Sequence, residues 1–304
     1  MSSTHENLSI RNGVLNAIAA YSMWGIAPLY FTLLLGIGAG EILMHRIIWS
    51  SLFLLLLVFI SRKWTLFTEL LKQPKMLAKL SLSAAVLAVN WLVFIWAVNN
   101  QHLLDASLGY FINPLFNVAF GLLFFGEHLR RNQKVAVIFA AFGVFIQLFT
   151  LGSLPIVSLV LASSFAVYGV LRKKLHVDSF VGLLVESLVM LPFAVIYWLY
   201  FVDSPTADLT LNSSPLNVTL IMAGVVTTAP LLCFTAAAKR LTLSSLGFFQ
   251  YIGPSIMFLL ATFYYQESMQ AAELFTFVLI WSALALYSFD AYIAMKKTTM
   301  HLTR

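Results

Sequence analysis

Apolar residues along the chain gather in blocks of about 20, each long enough to cross a hydrocarbon core of roughly 30 Å at about 1.5 Å rise per residue. The blocks predict helices over residues 13–35, 41–60, 79–99, 106–125, 134–150, 153–171, 180–200, 217–238, 245–265 and 272–294. The fold class this predicts is all-α and polytopic, with ten transmembrane helices. Only two connections are long, a basic one over 61–78 and one over 201–216 rich in Ser, Pro, Asp and Asn. Neither has room for a soluble domain. The first block, Val14 to Leu35, exceeds the roughly 7–15-residue apolar region of a signal peptide, so it is read as a permanent helix.

Composition agrees: the chain is 61% hydrophobic and 10% charged, against roughly 45–50% and about 25% in a soluble domain. A net charge of +6 would suggest a nucleic-acid partner in a soluble protein, but the position of the basic residues gives a different reason. Seventeen of the 18 fall before helix 1 or after helices 2, 4, 6, 8 and 10: Arg11, then Arg62 to Lys79, Arg130 to Lys134, Arg172 to Lys174, Lys239 and Arg240, and Lys296 to Arg304. The intervening loops hold none. That alternation is the positive-inside pattern and predicts an N-in/C-in protein with both termini cytoplasmic. The single cysteine, Cys233, rules out an intrachain disulfide and a multi-cysteine metal site, and no metal or cofactor is expected.

An internal repeat is visible next. Ser107-Leu108-Gly109-Tyr110-Phe111 leads to Pro114 and, thirteen residues on, to Glu127; Ser245-Leu246-Gly247-Phe248-Phe249 leads to Pro254 and, thirteen residues on, to Glu267. Trp24-Gly25 and Tyr168-Gly169 echo one another in helices 1 and 6. The unit is five helices long, giving repeats over 1–150 and 151–304. Because five is odd, the second repeat must cross in the opposite sense, an inverted-topology arrangement that lets one half rock against the other around a midplane site.

With Tyr21 to Phe31 around Trp24-Gly25, Glu41 to Arg46, Asn90-Trp91 to Asn100, Ser107 to Leu115, Tyr168 to Lys174 and Leu183 to Glu186 in hand, the chain resembles the EamA group of the drug/metabolite transporter superfamily, in its RarD-like branch. The resemblance covers nearly the whole chain. It implies ten helices, two EamA repeats, a bacterial inner membrane and transport of a small organic molecule, often export.

Ionisable residues inside the apolar slab cost about 2.5–3.5 kcal/mol each on insertion scales and need a partner or a water-lined cavity. Arg46 and Glu186 sit at equivalent places in the two halves. They are expected to flank the pathway, Arg46 in its outer half and Glu186 in its inner half, without pairing directly. His45 and Glu186 are the candidates for proton coupling, since imidazole titrates near pH 6.5 when unperturbed. Asn90 and Asn113 add polar groups at membrane depth, and Trp24, Trp91 and Tyr168 are the aromatic residues assigned to the cavity. Interface belts and packing account for most of the other aromatics. Pro28, Pro114 and Pro254 are expected to kink their helices by removing a backbone hydrogen bond, and Glu127 and Glu267 are read as structural.

A secondary transporter therefore fits best, with a small-molecule substrate and the lipid bilayer as partners and a homodimer left open. The alternative is a membrane-embedded enzyme or receptor. Against these, the sequence has no HExxH, Walker A or GxSxG motif and no soluble sensing domain.

Overall fold

The computed structural model describes residues 2–100, 103–151, 156–264, 266 and 271–302; Glu267 lies outside them. The helices are α1 (Ser2–Phe31), α2 (Ala39–Ile60), α3 (Trp64–Leu71), α4 (Pro74–Asn99), α5 (Leu103–Phe125), α6 (Arg131–Leu151), α7 (Ile156–Lys174), α8 (Ser179–Phe201), α9 (Ser214–Ala238), α10 (Leu243–Gln250), α11 (Ile252–Leu259) and α12 (Ala271–Leu302). Among the described residues, nine stretches are long and apolar enough to span a membrane, and Leu274–Asp290 within α12 is a shorter apolar helix. The protein is a polytopic, all-helical membrane protein.

Two expectations need correction. The basic connection 61–78 is not a plain loop: it holds α3, which buries Phe67 and Leu70 on one face, and α4 already begins at Pro74, with proline in the first turn where its missing N–H costs nothing. The helix expected over 245–265 keeps its place as one apolar span, Leu243–Tyr264, but it is built of two helices meeting at Tyr251, followed by a wider turn over Leu260–Tyr264, a sharper break than the kink expected at Pro254. Pro254 explains the first break, because without an N–H it cannot bond the carbonyl of Gln250 four residues back. The chain tightens there instead, with Tyr251 N–H donating to Phe248 O at 3.2 Å. Pro28 and Pro114 lie inside the uninterrupted α1 and α5.

The central helix α2 packs against α8 and α9; α4 packs against α7 and α8; α1 lies on α9 and α11, α5 on α7 and α10, and α6 on α12. Both α2 and α8, and likewise α4 and α9, begin 140 residues apart. Basic clusters that are far apart in sequence meet at one end of the bundle. There Lys63 Nζ lies 2.6 Å from Asp178, Arg130 Nε 2.5 Å from Asp290, and Lys239 bonds the Val177 carbonyl. Burial, then the nearby Arg172 charge, pushes the Lys239 ammonium down to about 8. At the opposite end Tyr30 Oη donates to Thr219 O at 2.8 Å and Thr206 Oγ1 to Glu41 at 2.7 Å.

Helix α2 approaches α9 most closely at Gly224. A Cβ there would stand 2.6 Å from Trp49 Cβ and 2.7 Å from Ser50 N, the latter fixed backbone, and Ser50 Oγ donates to the Gly224 carbonyl at 3.2 Å. Gly224→Ala is therefore expected to cost about 1–3 kcal/mol, the usual range for overpacking. Thermal unfolding in detergent measures it. Gly36→Ala meets open space but sits at a φ of +90°, so its cost is backbone strain of about 1–2 kcal/mol rather than overpacking.

Candidate functional site

Four helices, α2, α4, α8 and α9, surround a narrow internal cavity lined by Ser50, Trp91, Glu186, Ser187, Thr227 and Thr228 among apolar neighbours such as Leu87 and Met190. As it stands, it has room for little more than a water molecule. Its lining repeats across the 140-residue offset: Ile47 with Ser187, Ser50 with Met190, Leu87 with Thr227, and Trp91 with Leu231 all face it. The cavity lies where the two halves of the chain meet.

Glu186 stands at one edge. Its Oε1 accepts from Arg172 Nη1 at 3.1 Å and its Oε2 from Tyr168 Oη at 3.2 Å. Both charged side chains are 1% exposed. Gly182 makes the space for the guanidinium, since a Cβ at that position would lie 2.7 Å from Arg172 Nη1. Arg172 was expected in a cytoplasmic loop with Lys173 and Lys174. The structure corrects this: it is the largest fully buried side chain of the described residues. Its spacing from Tyr168 carries the signal that could have found it, because residues four apart share a helix face and Tyr168 also faces Glu186.

Arg46 lies seven residues into α2, as Glu186 lies seven residues into α8, so each is about 10 Å past the start of its helix. Arg46 Nε donates to Thr227 Oγ1 at 2.8 Å. Its guanidinium carbon is 5.0 Å from the Trp91 ring centre and 5.9 Å from that of Phe31, within range for cation–π attraction. The two ionisable groups do not pair with each other. Adjacent His45 points elsewhere: its Nδ1 accepts from Trp49 Nε1 at 3.2 Å, its ring lies beside Trp198, and it does not line the cavity.

The other sequence candidates divide. Trp91 joins Arg46 to the cavity. Trp24 and Tyr168 belong to an aromatic cluster with Tyr21, Phe165 and Phe234, Tyr168 stacking on Phe234 at 5.9 Å. Asn90 donates to Leu161 O and Ser164 Oγ on α7, both at 2.9 Å. Asn113 donates to Ala162 O at 2.7 Å, and Asn117 joins it to Gln250, so the amides tie α5 to α7 and α10. The cavity hydroxyls of Ser50, Ser187, Thr227 and Thr228 were not among the sequence candidates. The 140-residue register between α4 and α9 pairs the candidate Trp91 with Leu231, one turn from Thr227, and is the pattern that would have pointed to this stretch. No group of three or more His, Cys, Asp or Glu suited to a metal occurs among the described residues.

Comparison with known proteins gives this geometry a family. The model of the EamA-like transporter family matches residues 11–149. Protein RarD of Salmonella typhimurium strain LT2 is 55% identical over 94% of this chain and 98% of its own length, and Protein RarD of Escherichia coli K12 is 53% identical over 95% and 98%. The Chloramphenicol-sensitive protein RarD of Pseudomonas aeruginosa is 31% identical over 94% and 96%. A solved crystal structure shares the fold, with a TM-score of 0.71 over 93% of this chain and 98% of that one, at 15% identity. The chain belongs to the EamA-like transporter family, in its RarD-like group.

Proposed function

We propose that the protein is a secondary transporter that moves a small organic molecule outward by alternating access at the cavity between α2, α4, α8 and α9. Its ten spans form two inverted five-helix repeats, 1–150 and 151–304, with both termini cytoplasmic. The observation that carries this reading is the cavity lining itself, in which equivalent positions of the two halves face one another; of the equivalent ionisable residues, Glu186 lines the cavity and Arg46 stands behind it against Thr227 and Trp91. The helix pairings support it: exchanging each helix for its counterpart turns α2 on α9 into α8 on α4, and α1 on α9 into α7 on α4. Such pseudo-symmetry provides two related arrangements, one open to each side.

The gathering of the basic loops at one end supports a cytoplasmic assignment for that end. The outward direction is carried over from the family resemblance alone. The test is uptake and efflux of amino acids, metabolites and amphipathic drugs in proteoliposomes, with and without a proton gradient. Saturable flux is expected in the native protein and at least a tenfold loss in Glu186→Gln. Absence of flux for every compound in correctly inserted protein would count against transport.

A further inference from the structure

The two equivalent ionisable residues are treated very differently by their surroundings. Glu186 has an internal counter-ion in Arg172. Arg46 has none: among the described residues no carboxylate lies within 4.0 Å of its guanidinium. Its neighbours are one hydroxyl and two aromatic faces. The nearest acid in sequence at this end, Glu41, is engaged by Thr206. A guanidinium in a low-dielectric slab keeps its charge most readily beside an anion, and cation–π attraction and one neutral hydrogen bond supply only part of that stabilisation.

We propose, building on the transporter reading above, that the missing anion comes with the substrate: the protein carries a small amphipathic acid whose anionic group docks on Arg46. Trp91 and Thr227 hold the guanidinium from one ring face and one N–H, leaving its terminal nitrogens for the fork-like pairing that suits a carboxylate. Beyond Arg46, Trp91, Leu87, Leu231 and Met190 offer an apolar wall for the body of the molecule. Thr228 Oγ1, buried and without a hydrogen-bond partner in the described structure, lines the same cavity and is free to meet a further polar group. A cationic solute finds the opposite arrangement, since the cavity carboxylate is already neutralised by Arg172.

Binding, measured separately from flux, tests this. Purified full-length protein in detergent would be titrated with matched pairs, benzoate with benzamide, 3-phenylpropionate with 3-phenylpropanamide and octanoate with octanamide, following thermal stabilisation and equilibrium binding. At least one acid is expected to bind the native protein saturably and its amide at least tenfold more weakly. Arg46→Gln is expected to lose that preference, and Arg46→Lys, which keeps the charge without the fork, to retain part of it. Equal binding of acids and amides, no acid bound by the native protein, or an acid preference unchanged in a folded Arg46→Gln each overturns the proposal. So does an anionic lipid that copurifies with the native protein but not with Arg46→Gln while acids fail to compete with it, because the anion is then a headgroup phosphate. Flux of some other solute with no acid preference would leave the transporter reading standing and the substrate class wrong.

Discussion

Arg172→Leu is expected to destabilise the folded protein by about 3–5 kcal/mol, and Arg172→Leu combined with Glu186→Leu by much less. Burial sets the size of the effect: both side chains are 1% exposed, so removing the guanidinium leaves a buried carboxylate with only neutral hydroxyls, those of Tyr168 and Ser83, beside it. Breaking a buried pair by removing one partner typically costs about 3–5 kcal/mol, whereas replacing both by apolar groups is often close to neutral. The pair is also imperfectly satisfied, since Arg172 Nε and Nη2 lack hydrogen-bond partners in the described structure, which lowers the cost of losing it as a unit. A double-mutant cycle of unfolding in detergent measures the coupling. If Arg172→Leu matches the native protein, the Glu186 carboxyl is either solvated or protonated in the folded state, and the pH dependence of the variant's stability tells which.

The contrast between Arg172 and Lys174 shows where the sequence stopped being informative. Both lie in one basic run after an apolar block, and the positive-inside pattern treats them alike. The helix does not: a residue spacing of two turns the side chains about 200° apart, so Arg172 enters the bundle while Lys174 reaches toward the rings of Phe124 and Phe125. Charge tallies place a basic run near a helix end but do not say which of its members turns into the bundle. Nine spans among the described residues, and the family, were legible, because block length and motif spacing are local properties. Which face of each helix turns inward depends on neighbours brought together by packing, whereas the break at Tyr251 follows from Pro254, a kink the sequence does announce. Asn90 and Asn113 illustrate the limit at the site. Their type and depth suggested a polar pathway, but the partners that fix their orientation lie on α7, about 50 to 70 residues away in the chain.

Glu127→Ala is expected to destabilise the junction of the two halves by roughly 3 kcal/mol, with the loss concentrated in α10. Helix α5 ends at Gly126, whose φ of +60° is the left-handed conformation glycine adopts without strain, and the turn brings Glu127 N–H back to the Gly121 carbonyl at 3.1 Å. The carboxylate then reaches across to the start of α10. It accepts from Leu243 N–H at 2.6 Å, Ser244 N–H at 2.9 Å and Ser244 Oγ at 2.7 Å. These are the unpaired donors and the positive end of the dipole that every helix presents at its N-terminus. Hydrogen bonds to a charged group contribute about 1.5–3 kcal/mol each, and water at this end of the bundle restores part of what is lost. Because α10 is short and ends at the break before Pro254, it has little intrinsic stability to fall back on. Amide exchange at Leu243, Ser244 and Ser245 is the direct readout, and Ser244→Ala, which removes only the hydroxyl donor, is expected to have a smaller effect. Faster exchange confined to α10 would identify Glu127 as a latch between the halves at the basic end, one that has to open if that end opens during transport. Uniformly faster exchange would instead mean that the junction supports the whole bundle.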